Sequence, residues 1–329
     1  MHKKTLILRR AEIEKLVDIR QALKLVEKVF RAHAKGLVQM PAKVYIHLDK
    51  YHGDFRAMPA YIEGMEASGI KWVNVHPENK RYGLPSIMAV IILSDPRTGF
   101  PLAIMDGTLI TNLRTGAAGG IAAKYLANKG SRRVSLVGCG KQAQAQLIAL
   151  NEVFKLKSVL VYDRVESKAI GFIKKMGHLG LKIKRCSNIK GCVQGADIVV
   201  TTTPSRKPII KSDWITKGTH INAIGADAKG KEELDPAILK RARIIVDDRT
   251  QAIHSGEINV PLSREIMDES DICATLGEVI TGNKKGRIGK NDITVFDSTG
   301  LAIQDIAVAN FIYKEAARKK KFKQISLIS

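Results

Sequence analysis

The chain has 329 residues, enough for about two domains and a core that buries roughly three quarters of its unfolded surface. With 45% hydrophobic and 26% charged residues and a mean hydropathy of -0.07 it is not a disordered chain, and its longest aliphatic run, residues 87–93, is far below the ~18 needed to span a bilayer. A net charge of +22 brings nucleic acid into view, but the basic residues are scattered, aromatics are 5%, and the one dense run is 318–321, so weak polyanion affinity and no specific nucleic-acid partner are expected.

Residues 1–40 read as helix, because Ala22, Leu25, Val26, Val29 and Phe30 recur at spacings of three and four before Gly36. The short apolar stretch Leu6 to Leu8 is closed at once by Arg9 and Arg10, which is no secretory signal, and a cytoplasmic location is expected. Strand-like segments follow at 43–47, 55–61, 69–76, 86–93 and 101–105, with a turn at 94–99, as in an antiparallel meander. Residues 108–128 turn helical and are rich in Gly and Ala, so this helix is expected to pack closely and to bridge two domains.

After Ser131 short apolar strands alternate with amphipathic helices. The strands are 134–137, 159–162, 183–186, 198–203, 220–224, 244–246 and 293–296, and the alternation predicts a doubly wound parallel sheet with right-handed crossovers. A helix over 300–320 is expected to return to the N-terminal half. The fold class is therefore α/β: a dinucleotide-binding Rossmann domain over 118–302, and a smaller α+β domain with an antiparallel sheet formed by 1–117 with 303–329. Cys139, Cys186, Cys192 and Cys273 contain no CxxC pair and read as reduced thiols. The eight histidines show no ligand spacing, so no metal is expected.

The strand ending at Val137 runs into Gly138-Cys-Gly140-Lys-Gln-Ala143 and then a helix over 144–154, which is GxGxxA in its required context. Gly138 allows the tight turn, Gly140 lets the backbone approach a pyrophosphate, and Ala143 permits close packing, while Lys141 and Gln142 open a helix whose N–H groups favour an anion. Asp163, at the end of the next strand, is placed to accept hydrogen bonds from an adenosine ribose and to repel a 2'-phosphate, which favours NAD; Arg164 beside it is the feature that would suit NADP. The strand ends at Thr202, Thr203 and Pro204 and at Ile224, Gly225, Ala226 and Asp227 describe one crevice at the carboxyl edge of the sheet.

Six segments, residues 55–60 (FRAMPA), 69–77 (GIKWVNVHP), 111–120 (TNLRTGAAGG), 201–208 (TTTPSRKP), 218–227 (GTHINAIGAD) and 295–305 (VFDSTGLAIQD), together resemble the ornithine cyclodeaminase/μ-crystallin family, most closely its archaeal alanine dehydrogenase branch. The resemblance implies a homodimer whose N-terminal sheet domain, completed by the C-terminal helix, mediates dimerisation and carries the substrate. It implies that Lys71 polarises the substrate, that Arg114 binds its carboxylate, and that Asp227 handles protons. It also implies that Arg114, Thr115, Ser298 and Thr299 join the cofactor-binding set. Members that cyclise ornithine carry an acid two positions before the Met-Pro pair; here that residue is Arg56, before Met58 and Pro59, where it can anchor a small carboxylate.

The activity expected is NAD-dependent, reversible oxidative deamination of L-alanine to pyruvate and ammonia. Cyclisation of ornithine to proline, reduction of an imine, and non-enzymatic dinucleotide binding of a crystallin type are the alternatives.

Overall fold

The computed structural model describes residues 4–328. The described chain divides into two compact units, the first reaching Arg114 and resuming at Leu301, the second spanning Thr115–Gly300. The outer ends of the first expected domain, residues 1–3 and 329, lie outside the described residues.

In the first unit, strand β1 (Thr5–Leu8) precedes helix α1 (Ile19–Ala34) and the strands β2 (Val44–Leu48), β3 (Gly53–Ile62), β4 (Ala67–Val75), β5 (Ile87–Ser94) and β6 (Pro101–Asp106). The helical reading of residues 1–40 holds for α1, where Ala22, Val26, Val29 and Phe30 are buried, and is corrected at its start. There Thr5–Leu8 lies between β6, to which it is parallel, and the short strand Gln324–Ile325, to which it is antiparallel, and the apolar run Leu6–Leu8 buries more as an inner strand than as one exposed helical turn. The sheet is antiparallel from β2 to β6, parallel between β6 and β1, and antiparallel again between β1 and Gln324–Ile325.

Side chains alternate across β3 to β5. Arg56, Met58, Lys71, Val73, Ala89, Ile91 and Leu93 are buried on one face, which packs on the C-terminal helix Ala302–Lys319. On the other face Val44, Ile46, Trp72, Val90 and Ile92 are exposed, between 38% and 59%, a contiguous apolar surface beyond what scattered exposed side chains would give.

Helix α2 (Gly107–Leu126) begins in the first unit and ends in the second. The second unit then runs through β7 (Arg133–Val137), α3 (Lys141–Val153), β8 (Ser158–Tyr162), β9 (Lys182–Arg185), β10 (Ile198–Thr201), β11 (His220–Ala223), β12 (Ala242–Val246), β13 (Ile272–Thr275) and β14 (Ile293–Asp297). All eight strands are parallel, in the order β9-β8-β7-β10-β11-β14-β12-β13. The order reverses between β7 and β10, the switch point at which such sheets open a crevice. Strand β13 and a side pair, Arg206–Ile210 with Glu232–Leu234, carry no period that sequence alone reveals.

Phe30 is wholly buried in α1. Phe30→Ala is expected to lower the unfolding free energy by about 3–5 kcal/mol, read as a drop in the urea midpoint at constant slope.

Candidate functional site

Each unit contributes one cluster. In the first, Lys71 on β4 is 1% exposed, and its Nζ donates to Asp305 Oδ2 at 2.7 Å and to Thr111 Oγ1 at 3.4 Å. Arg114 Nε donates to the other oxygen of Asp305 at 3.0 Å, and Arg114 Nη1 donates to Gln304 Oε1 at 3.1 Å. One buried carboxylate therefore sits between two cations. Burial, and next the Arg114 charge, pull the Lys71 ammonium down to about 7, against the opposing pull of Asp305; the nearby charge of Lys43 acts in the same direction as Arg114.

Arg56 shares the buried face, since it is two residues from Met58, the register partner of Lys71. Its guanidinium is gripped by Asp54, Nε to Oδ1 at 2.8 Å and Nη2 to Oδ2 at 3.2 Å, and lies 5.2 Å from the centre of the Tyr45 ring. Gln304 Nε2 is buried without a hydrogen-bond partner. The residues missed in the sequence are Asp305, Gln304, Asp54 and Lys43. For the first two a signal existed: Gln304 and Asp305 interrupt an otherwise apolar stretch of helix, and residues 302–310 are all buried.

In the second unit the glycine motif forms the turn from β7 into α3. Gly138 has φ +95, and a Cβ there would stand 2.8 Å from Thr202 Oγ1, so only glycine fits between the ends of β7 and β10. Gly140, by contrast, has φ -79 and open space where a Cβ would stand. Neither its conformation nor a protein neighbour requires glycine, so the requirement fits a close ligand at the start of α3, where Lys141, Gln142 and the buried Ala143 begin the helix.

Asp163 lies beside this turn, but its carboxylate already holds backbone: Oδ2 accepts from Cys139 N at 2.9 Å and Oδ1 from Val165 N at 2.9 Å. Arg164 is exposed. Thr202 N donates to Val137 O at 2.9 Å, and Pro204 is exposed at the same rim. Ile224 and Ala226 are buried, while Asp227 stays partly open with Oδ1 2.6 Å from Lys231 Nζ. Thr299 Oγ1 donates to Asp247 Oδ1 at 2.9 Å, whereas Ser298 Oγ is buried with no partner, a polar atom fitted to a ligand group. Thr115 is buried and its carbonyl accepts from Gln146 Nε2 at 2.9 Å.

His220 is wholly buried between Thr294 and Asn222, and burial pushes it down to about 3, so it is an uncharged imidazole near neutrality. Among the described residues no group of three or more His, Cys, Asp or Glu side chains is placed to hold a metal ion, and no helix is long and apolar enough to cross a membrane.

The pattern of the ornithine cyclodeaminase/mu-crystallin family matches residues 3–320. The chain is 52% identical over 317 residues to the alanine dehydrogenase of Archaeoglobus fulgidus, covering 96% of each chain. Its structure superposes with a TM-score of 0.95 on an archaeal alanine dehydrogenase dimer with bound NAD, at 50% identity, covering 99% of this chain and 100% of the other. It superposes equally, TM-score 0.95, on the Δ1-pyrroline-2-carboxylate reductase of Thermococcus litoralis in complex with NADH and L-proline, at 38% identity over 98% of this chain and 100% of the other.

The two motif glycines predict opposite outcomes. Gly140→Ala should leave the melting temperature unchanged and weaken NADH binding, measured by fluorescence titration, on the order of tenfold or more. Gly138→Ala should lower the melting temperature whether or not cofactor is added, because its strain is internal.

Proposed function

The chain belongs to the ornithine cyclodeaminase/mu-crystallin family, and from that premise we propose that it catalyses the NAD-dependent, reversible oxidative deamination of L-alanine to pyruvate and ammonia. The observation that carries this reading is the cationic wall of the first unit, where Lys71 and Arg114 share Asp305 and Arg56 lies on the same face of the sheet. Such a wall suits a small monocarboxylate and repels the second ammonium of ornithine.

In this reading Arg114 and Lys71 hold and orient the substrate carboxylate, with Arg56 beside them. Gly138, Gly140 and the first turn of α3 hold the pyrophosphate, Asp163 meets the ribose, and Thr202 to Pro204, Ile224 to Ala226, Ser298 and Thr299 line the rest of the cofactor. NAD held there would supply the acceptor for the hydride of the substrate Cα. Asp227 takes the proton of the water that adds to the resulting imine, and its Oδ1 lies 2.6 Å from Lys231 Nζ.

The exposed apolar face of β2 to β5 supports a homodimer through that sheet. Four free cysteines suit a reducing cytoplasm. Reduction of a cyclic imine is the second reading, favoured by the 38% identical neighbour solved with NADH and L-proline.

Two tests separate these readings. Alanine with NAD should give pyruvate and a rise in absorbance at 340 nm, and ornithine should give no proline; NADH oxidation by pyrroline-2-carboxylate without alanine turnover would transfer the assignment to imine reduction. Asp227→Asn should keep cofactor binding and lose roughly 10² to 10⁴ in kcat.

The state of Lys71 sets a pH dependence. Below about 7 it is an ammonium that attracts a carboxylate, and above it a neutral amine that does not. The affinity of the NADH complex for pyruvate should therefore fall as pH rises through about 7, and Lys71→Met should abolish the inflection. An inflection that survives in Lys71→Met would assign it to another group.

A further inference from the structure

We propose that Glu233 is a positioning residue for the cofactor: its carboxylate clips the loops after β10 and β11 into the spacing that the dinucleotide needs. The inference rests on the reading that these two strand ends line the NAD site. Oε1 accepts from Thr203 N at 2.7 Å and from Thr203 Oγ1 at 2.7 Å, and Oε2 accepts from Gly225 N at 2.9 Å. Both oxygens are thus used, each on a different loop. Neither loop reaches the other through the sheet ladder, because β10 and β11 end at Thr201 and Ala223.

The clip is itself held from below. Glu233 lies on Glu232–Leu234, whose partner strand Arg206–Ile210 follows directly from the Thr203 loop. Glu257 Oε1 accepts from Glu233 N at 2.8 Å and from Leu234 N at 2.6 Å, fixing the backbone that aims the carboxylate. Space is closed as well: a Cβ on Gly225 would overlap both Glu233 Oε2 and the Thr203 backbone. Glu233 and Glu257 are wholly buried, and that burial raises both carboxyls above their ordinary range.

A carboxylate is needed because both targets are donors. In Glu233→Gln the side-chain oxygen can serve Thr203 or Gly225, and the NH₂ group then opposes the N–H of the other. One loop is released, and with it part of the crevice wall.

The test is NADH binding to the full-length protein by fluorescence titration, beside steady-state kinetics and thermal melting. Glu233→Gln should weaken NADH binding and raise the KM for NAD by on the order of tenfold, the loss expected of one charge-assisted hydrogen bond, while the KM for alanine changes less than about twofold. A lower melting temperature with unchanged NADH affinity would make Glu233 merely structural and overturn the inference. Wild-type protein that fails to bind NADH would instead overturn the cofactor reading itself. A second measurement needs no variant: in wild-type protein the Thr203 and Gly225 amides should exchange slowly with deuterium, although both lie beyond the ends of the strands. Exchange of both at the rate of open loop amides would equally overturn the clip.

Discussion

A carboxylate buried inside a helix is stable only if its surroundings neutralise it, and Asp305 has two cations within 3.0 Å, Lys71 and Arg114. Two cations on one anion leave a surplus positive charge in a site that water barely reaches. Burial first, and next the charge of Arg114, pull the Lys71 ammonium down to about 7, which relieves that surplus. A bound carboxylate would relieve it as well, and would restore the proton to Lys71. Fold and ligand are thereby coupled, because the helix that supplies Asp305 also packs on the sheet strand that supplies Lys71.

The second unit solves a different problem with the same group. Loops at the carboxyl ends of parallel strands have no neighbouring strand to accept their N–H groups, and buried N–H groups must be satisfied. Acidic side chains do this work here, Glu233 for Thr203 and Gly225 and Asp247 for Gly300, while Glu257 and Asp297 serve the amides of Glu233, Leu234 and Ile258 elsewhere in the unit. In a chain with a net charge of +22 these four carboxylates are all buried rather than spread over the surface. Each aims at main-chain amides, which stabilise its charge in place of water.

Local pattern carried most of the architecture. The period of α1, the meander from β2 to β6 and the alternation after Ser131 are each legible within ten or twenty residues, and the family resemblance added their arrangement. Strand β1 was misread because three apolar residues after Thr5 fit a helix turn or a strand equally well, and only pairing with β6, nearly a hundred residues away, and with Gln324–Ile325 decides between them. Lys71 and Arg114 were legible as charges set among apolar neighbours. Their shared partner Asp305 was not, because a contact between residues 71 and 305 has no local signature. Asp54 and Lys43 stayed hidden for the same reason, since nothing in sequence distinguishes an acid that grips an arginine from one that faces water.

Asp163 illustrates how one side chain can serve both scaffold and selectivity. Its oxygens hold the amides of Cys139, in the middle of the glycine turn, and of Val165, so the group proposed to choose between ribose and ribose phosphate also braces the turn proposed to receive the pyrophosphate. Selectivity at this position is consequently not modular. Exchanging the acid to admit a phosphorylated cofactor beside Arg164 would also take away the acceptor of the Cys139 amide, so a change of cofactor there carries a cost in the turn itself.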